Sequence, residues 1–414
     1  VTYVAVPLQI YALTKSSLWV GLLGSAQLVP LVVAALFGGA LADRLDRRRL
    51  LIWSEAILAC GSLALLLNAG SAHPSVVVVF VVSALMSGVN GFHRPALEAM
   101  TPRLVGADEL SAVAALGTLR HSAAAIGGPA LGGWVIATFG LSAAYAFDVV
   151  SFVLSIGCIA ALVAPPAPPR VAASPLRSIV DGLRYGASRP ELVGTYVVDI
   201  VAMTFAMPVA LFPQLGDRWG GAEAAGWLFA AIPIGSLMMT LVSGFSGRIH
   251  RHGAAVVIAA AIWGLAIVAL GFAGSLLVAV TCLAIAGAAD MVSGMFRQTI
   301  WNQTVPNEMR GRLAGVEMIS YMTGPLLGNA RAGAVASAFG VSFSIGSGGV
   351  VCVAGVLLCV PLLPAFWRYQ RSSPSRREPS VAASDALAVE ALSRDGSERD
   401  LRDADAVAVQ AQQS

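Results

Sequence analysis

Apolar stretches long enough to cross a bilayer recur along this chain at about 18–40, 50–69, 75–93, 111–138, 141–164, 192–215, 221–246, 254–273, 275–296, 313–338 and 341–366. About 20 apolar residues are needed to span roughly 30 Å of hydrocarbon as a helix. Only 12% of residues are charged and mean hydropathy is +0.76, outside the soluble globular range. The fold class is therefore all-α integral membrane. A further segment, Val1–Leu13, covers only about 20 Å at a rise of about 1.5 Å per residue, and no basic stretch precedes it as in a signal peptide. It reads as the later part of a truncated first helix, which brings the transmembrane helices to twelve.

Charge sorts these helices by side. Asp43, Arg44, Asp46, Arg47, Arg48 and Arg49 place six ionised side chains within seven positions between the second and third helices. A hairpin so short and charged is water-exposed, and an excess of Lys and Arg in short loops marks the cytoplasmic face. Alternate loops repeat the bias: nineteen arginines, Arg94, Arg189, Arg251 and Arg310 among them, fall on that side, against Lys15 and Arg218 on the other. Both termini are expected in the cytoplasm, with the chain in the cytoplasmic (inner) membrane. Basic residues sorted by side form no cluster, so no nucleic-acid surface is expected.

Residues 166–191 form a linker that divides the helices six and six. Its start, in the run Pro165-Pro166-Ala167-Pro168-Pro169, is stiff, and Leu176–Tyr185 then has the pattern of a surface helix. The organisation expected is a six-helix bundle over 1–165, the cytoplasmic linker, a second bundle over 192–367, and a disordered cytoplasmic tail over 368–414 rich in Ser, Ala, Asp and Arg. The halves align with one another. Arg44 and Arg248, Phe92 and Phe296, and Pro102 and Pro306 are each 204 positions apart, while Pro30 and Pro233 are 203 apart. Two parallel repeats with a site between them at mid-membrane is the plan of many secondary transporters. The copies are unequal, since Gly247 stands where the first half has Asp43.

Family resemblances sharpen this plan. Gly39-x-x-x-Asp43-Arg44-x-x-Arg47-Arg48 resembles the loop signature between helices 2 and 3 of the major facilitator superfamily, with Asp46 where that pattern has glycine. The resemblance implies that Gly39, Asp43, Arg44, Arg47 and Arg48 latch the two halves together. Gly127-Gly128-Pro129-Ala130-Leu131-Gly132-Gly133, echoed by Gly324-Pro325-Leu326-Leu327-Gly328, resembles the helix-five signature of antiporters in that superfamily. Small residues permit close helix approach and an embedded proline permits bending. Gly128, Pro129, Gly132, Gly133, Gly324 and Pro325 are accordingly candidate gating positions, with packing alone as the alternative. Val4-Ala5-Val6-Pro7-Leu8-Gln9-Ile10, Ser174-Pro175-Leu176-Arg177-Ser178 and Ala230-Ala231-Ile232-Pro233-Ile234-Gly235 are similar to the siderophore (enterobactin) exporter branch of the twelve-helix drug:proton antiporters. That similarity implies export of a hydrophobic or amphipathic small molecule, siderophore- or drug-like, by proton antiport and alternating access. The proton gradient stands in place of any cofactor.

Ionisable residues inside the apolar stretches are expensive to keep there and so are functional candidates. They are Glu55, Arg120, His121, Asp148, Asp199, Asp290, Glu317 and Arg331. Asp199 and Asp290 lie on helices that line the central cavity in the family the chain resembles. Together with Asp148 they are the proton-coupling candidates, because a carboxylate in a cavity wall can alternate between protonated and ionised forms. The structural alternative is that each pairs with Arg120, Arg297 or Arg331. Arg94 and Arg297 read as matching anchors at the ends of helices four and ten. Met86, Met203, Phe205, Met207 and Met295 are candidate cavity residues, since such side chains repack around varied ligands. The expected partners are the small-molecule substrate and the lipid bilayer, with the monomer as working unit. An importer of a polar nutrient calls for more polar groups than Gln9, Asn90, Asp199 and Asp290 supply. An enzyme calls for clustered catalytic groups at one depth, of which the sequence has none. No metal is expected, because His250 and His252 lack further ligands, and the five cysteines, all in apolar runs, read as packing residues.

Overall fold

The computed structural model describes residues 1–44, 46–100, 104–162 and 182–370. The early linker and the tail expected from the sequence lie outside the described residues, as do the side chains of Gly39, Asp43 and Arg44. In order, α1 is Thr2–Thr14, α2 Ser17–Arg44, α3 Arg47–Ala69 and α4 Val76–Met100. The helical stretch Leu110–Ala161 follows, then α7 (Pro190–Ala206), α8 (Ala222–Leu241), α9 (His252–Gly271), α10 (Leu276–Thr304), α11 (Asn307–Phe339) and α12 (Val341–Leu362). Leu110–Ala161 has 52 residues, about 78 Å at the usual rise. No bilayer is that thick.

The stretch breaks at Gly140, whose φ of 83° and ψ of 174° are readily adopted only by glycine. Its two legs, 110–139 and 141–161, are α5 and α6. Gly340 makes the same kind of break between α11 and α12, at φ 89° and ψ 160°. Among the described residues nine helices are long and apolar enough to cross a membrane, Leu110–Ala161 being counted once. Division of that stretch, with α1 and α11 added, is consistent with twelve crossings.

Local chemistry explains the ends of the helices. Asp46, which stands where the superfamily pattern has glycine, caps α3: its side chain accepts from the Arg49 N–H at 3.2 Å. The run 192–215 is expected as one helix but is two. Pro208 holds Met207 in an extended conformation (φ −88°, ψ 112°) that ends α7, and a short helix Phe212–Trp219 then carries the chain onward. Elsewhere the helices outrun the apolar stretches, α10 to Thr304 and α11 from Asn307. Backbone hydrogen bonding has no reason to stop where the side chains turn polar.

Each half has its own core. Ile10, Leu65 and Tyr145 centre the first, where the Tyr145 hydroxyl donates to Gln9 at 2.7 Å. Phe212, Trp263 and Phe296 centre the second. The halves touch along α2 with α11 and along α5 with α8. Gly21 and Gly24 lie against the backbone of Leu326, Asn329 and Gly333, and Gly133 lies against Gly226. A methyl group built on Gly133 falls 2.7 Å from Gly226 Cα. All these contacts sit toward the face that carries Lys15 and Arg218. Toward the arginine-rich face the same α5 stands exposed, with Leu116 and Leu119 uncovered, so the halves diverge there.

Gly133→Ala is therefore expected to destabilise the protein by about 1–3 kcal/mol through overpacking. Gly127→Ala, where nothing lies within 4 Å, is expected to be neutral or slightly stabilising, since alanine favours a helix more than glycine does. Thermal unfolding of the two purified variants measures the contrast, and equal melting temperatures would show the seam to be loose.

Candidate functional site: a cavity between the halves

The divergence leaves a cavity of about 780 Å³, walled by α1, α2, α3, α4 and α6 on one side and by α7, α8, α9, α10 and α11 on the other. The first half contributes polar groups: Gln27 of α2, Glu55 of α3, and Ser83, Ser87, Asn90 and His93 of α4. The second half is apolar over Met203, Met207, Ile232, Trp263 and Met322. Within that apolar wall sits one charged cluster.

Arg297 of α10 holds it together. Its guanidinium meets Asp199 of α7 at 2.6 Å and Asp290 of its own helix at 3.7 Å. Both acids line the cavity, Asp199 with its side chain 6% exposed and Asp290 with its side chain 34% exposed. Carboxylates withdrawn from water need a partner of opposite charge, and a guanidinium can serve two acids at once. The first half has a smaller counterpart. His93 Nε2 lies 3.0 Å from Glu55 Oε1, and Glu55 is 7% exposed. The repeat of 204 positions that relates Phe92 to Phe296 also relates His93 to Arg297, so equivalent sites in the two halves each carry a base joined to an acid.

Several sequence expectations find their places here. Asp148, Asp199 and Asp290 all line the cavity, and the Thr2 hydroxyl donates to Asp148. Met86, Met203 and Met207 line it as well. Phe205 and Met295 do not: both pack on the core of the second half. Of the gating candidates, Pro325 faces the cavity, Gly324 backs onto Met203, Gly132 onto Val1, and Gly133 and the Pro129 carbonyl both lie against Gly226 in the seam with α8, while Gly128 has open space around it. Arg48, expected to reach across the halves, binds the carbonyls of Ile159 at 3.2 Å and of Ala160, and so ties α3 to α6 within one half. Arg47 is in place at the first turn of α3. Arg331 holds the Ser344 carbonyl at 3.4 Å, and Arg120 and His121 are exposed on α5.

The sequence offers two readings of Arg297, an anchor matching Arg94 and a partner for the membrane acids, and the structure bears out the second, with Asp199 at 2.6 Å and Asp290 at 3.7 Å. The equivalent of Arg297 is His93, and Arg297 lies seven residues after Asp290, two turns along the same helix face. His93 escaped the sequence reading, and Glu55 stood there only as one ionisable candidate among several, because their contact joins two helices across 38 residues. The repeat register held the signal for His93, which it sets against Arg297.

Two helical halves around a cavity lined by both define a membrane transporter of the major facilitator fold. Solved structures share it: the peptide transporter POT superposes with a TM-score of 0.70 at 12% identity, over 89% of this chain and 93% of that one. The D-xylose–proton symporter gives 0.67 at 14% identity, over 89% and 94%. Residues 1–388 match the family of transmembrane secretion effectors, and the chain belongs to that family. It is 30% identical over 390 residues to the enterobactin exporter EntS of Escherichia coli (strain K12), covering 92% of this chain and 91% of the relative. Identity to EntS of Shigella boydii serotype 18 is 31% over the same shares. The chain is a multi-pass membrane protein and a transporter, not an enzyme.

If Arg297 is what makes the buried Asp199 and the partly exposed Asp290 tolerable, Arg297→Met is expected to cost about 3 kcal/mol, chiefly because it strands Asp199. Adding Asp199→Asn and Asp290→Asn is expected to restore much of the loss. Melting temperatures of the single, double and triple variants form the test; simple additivity would show that the three residues do not act together.

Proposed function

We propose that this transporter exports an amphipathic small molecule, siderophore- or drug-like, from the cytoplasm in exchange for protons, with its two halves rocking to expose the cavity to each side in turn. The observation that carries the reading is the cavity itself, which pairs a methionine-rich wall with one acid cluster at its edge. Similarity to enterobactin exporters over nearly the whole chain supports efflux and the siderophore class. The arginine bias of the loops supports a cytoplasmic mouth in the conformation seen here, with both termini on that side of the inner membrane. The cell's proton gradient then serves in place of a cofactor, and the working unit is a monomer in the bilayer.

Coupling falls to Asp290 and Asp199. Asp290 is exposed to the cavity and shares Arg297 with the more buried Asp199. A proton taken up on Asp290 weakens its hold on Arg297, and a cargo that enters the cavity competes for the same region. Exchange follows when only one of the two is accommodated at a time. The residues 1–165 and 192–367 are the moving bodies in this scheme, with 166–191 as the tether.

In proteoliposomes with an imposed proton gradient, the wild type is expected to accumulate enterobactin against its concentration gradient. Asp290→Asn is expected to lower gradient-driven uptake at least about ten-fold while leaving downhill exchange largely intact. Full gradient-driven transport by both Asp290→Asn and Asp199→Asn would remove the acids from coupling. Asp43→Asn, which keeps every loop arginine, is expected to insert normally but transport poorly.

A further inference from the structure

One half of the cavity wall carries more hydrogen-bonding capacity than the helices themselves use. Ser83, Ser87, Asn90 and His93 recur on α4 at intervals of four, three and three residues, which places them on one helix face. All four line the cavity. At the end of this row stands Glu55, whose Oε1 is taken by His93 while its Oε2 is withdrawn from water and has no donor among the described residues. The Ser83 hydroxyl likewise has no partner among them. A shielded carboxylate oxygen without a donor is costly, and the cost disappears when a ligand supplies one.

We propose that the polar face of α4, together with Glu55, is the subsite that holds the hydrogen-bond-donating pole of the cargo, with Glu55 Oε2 accepting from a neutral O–H or N–H group. The inference rests on the cavity being the transport site, and it adds which end of the cargo goes where. A neutral donor fits better than an ammonium group, because His93 already partners the carboxylate and a cation would have to shed its water to enter. The opposite wall, Met203, Trp263 and Met322, takes the apolar or aromatic remainder. The cargo is thereby defined as a molecule with several hydroxyl or amide donors at one end and a hydrophobic body at the other.

Equilibrium dialysis of the full-length protein in detergent tests this, with 4-ethylresorcinol and its dimethyl ether as probes and protein-free micelles as the blank. The two probes share a ring and an alkyl group and differ in donors. The wild type is expected to bind the resorcinol about ten-fold more tightly than the ether, the worth of one good hydrogen bond to a charged group. Glu55→Ala is expected to bring the two within about two-fold by weakening the resorcinol alone, and Ser83→Ala to reduce the preference by about three-fold. Unchanged binding of the ether shows that each variant is folded. Equal affinity of both probes for the wild type, an undiminished preference in Glu55→Ala, or no binding of either probe overturns the proposal. No gradient is applied, so the outcome is independent of whether the chain couples to protons or exports.

Discussion

Hydrocarbon offers no hydrophobic drive to bring one helix against another, because lipid tails are as apolar as leucine. What joins the two halves of this transporter is instead the absence of side chains. Gly21, Gly24 and Gly333 bring α2 to α11, and Gly133 and Gly226 bring α5 to α8, close enough for backbone atoms to touch. A hydrogen bond from the Ser17 hydroxyl to Gln214 reinforces the seam. Because every one of these contacts lies toward the same face, the other face is left to separate. The cavity is the result of where the glycines stand.

Into that opening the chain places its costliest side chains. The solution differs between halves that share an ancestral register. At one of two equivalent positions a guanidinium, always charged, holds two acids; at the other an imidazole holds one and leaves an oxygen over. The fully charged cluster sits in the apolar wall, where it needs its own counter-ions, and the weaker pair sits among hydroxyls and amides. Sequence repetition thus built the cavity symmetrically, and substitution gave its two walls different chemistry.

Much of the architecture is legible in the sequence because lipid allows so little else. An apolar stretch of about twenty residues has one fold available to it, and the spacing of such stretches located nearly every helix. The ends were less legible. Apolarity reports the thickness of the membrane, whereas α10 and α11 continue past it as far as caps and prolines allow. That is why Arg297, one residue beyond the apolar stretch, could be read either as an interfacial anchor or as a partner for the acids, when it stands inside a helix two turns from Asp290. Pairs such as Glu55 with His93 were hidden for a different reason: no local pattern in either helix reports which face meets which. Phe205 and Met295 show the same limit, since they have the right composition for a cavity wall but lie on the wrong side of their helices.

One detail of the narrow face has a practical side. Lys15 ends α1 in a left-handed turn (φ 51°), its side chain 68% exposed and 3.5 Å from Asp217 across the seam. It is also the chain's single lysine, every other fixed cation being an arginine. Amine-directed dyes and cross-linkers therefore have one side chain to find, and it stands beside the line along which the halves meet. A fluorophore carried there would sit at a natural vantage point for watching that line part.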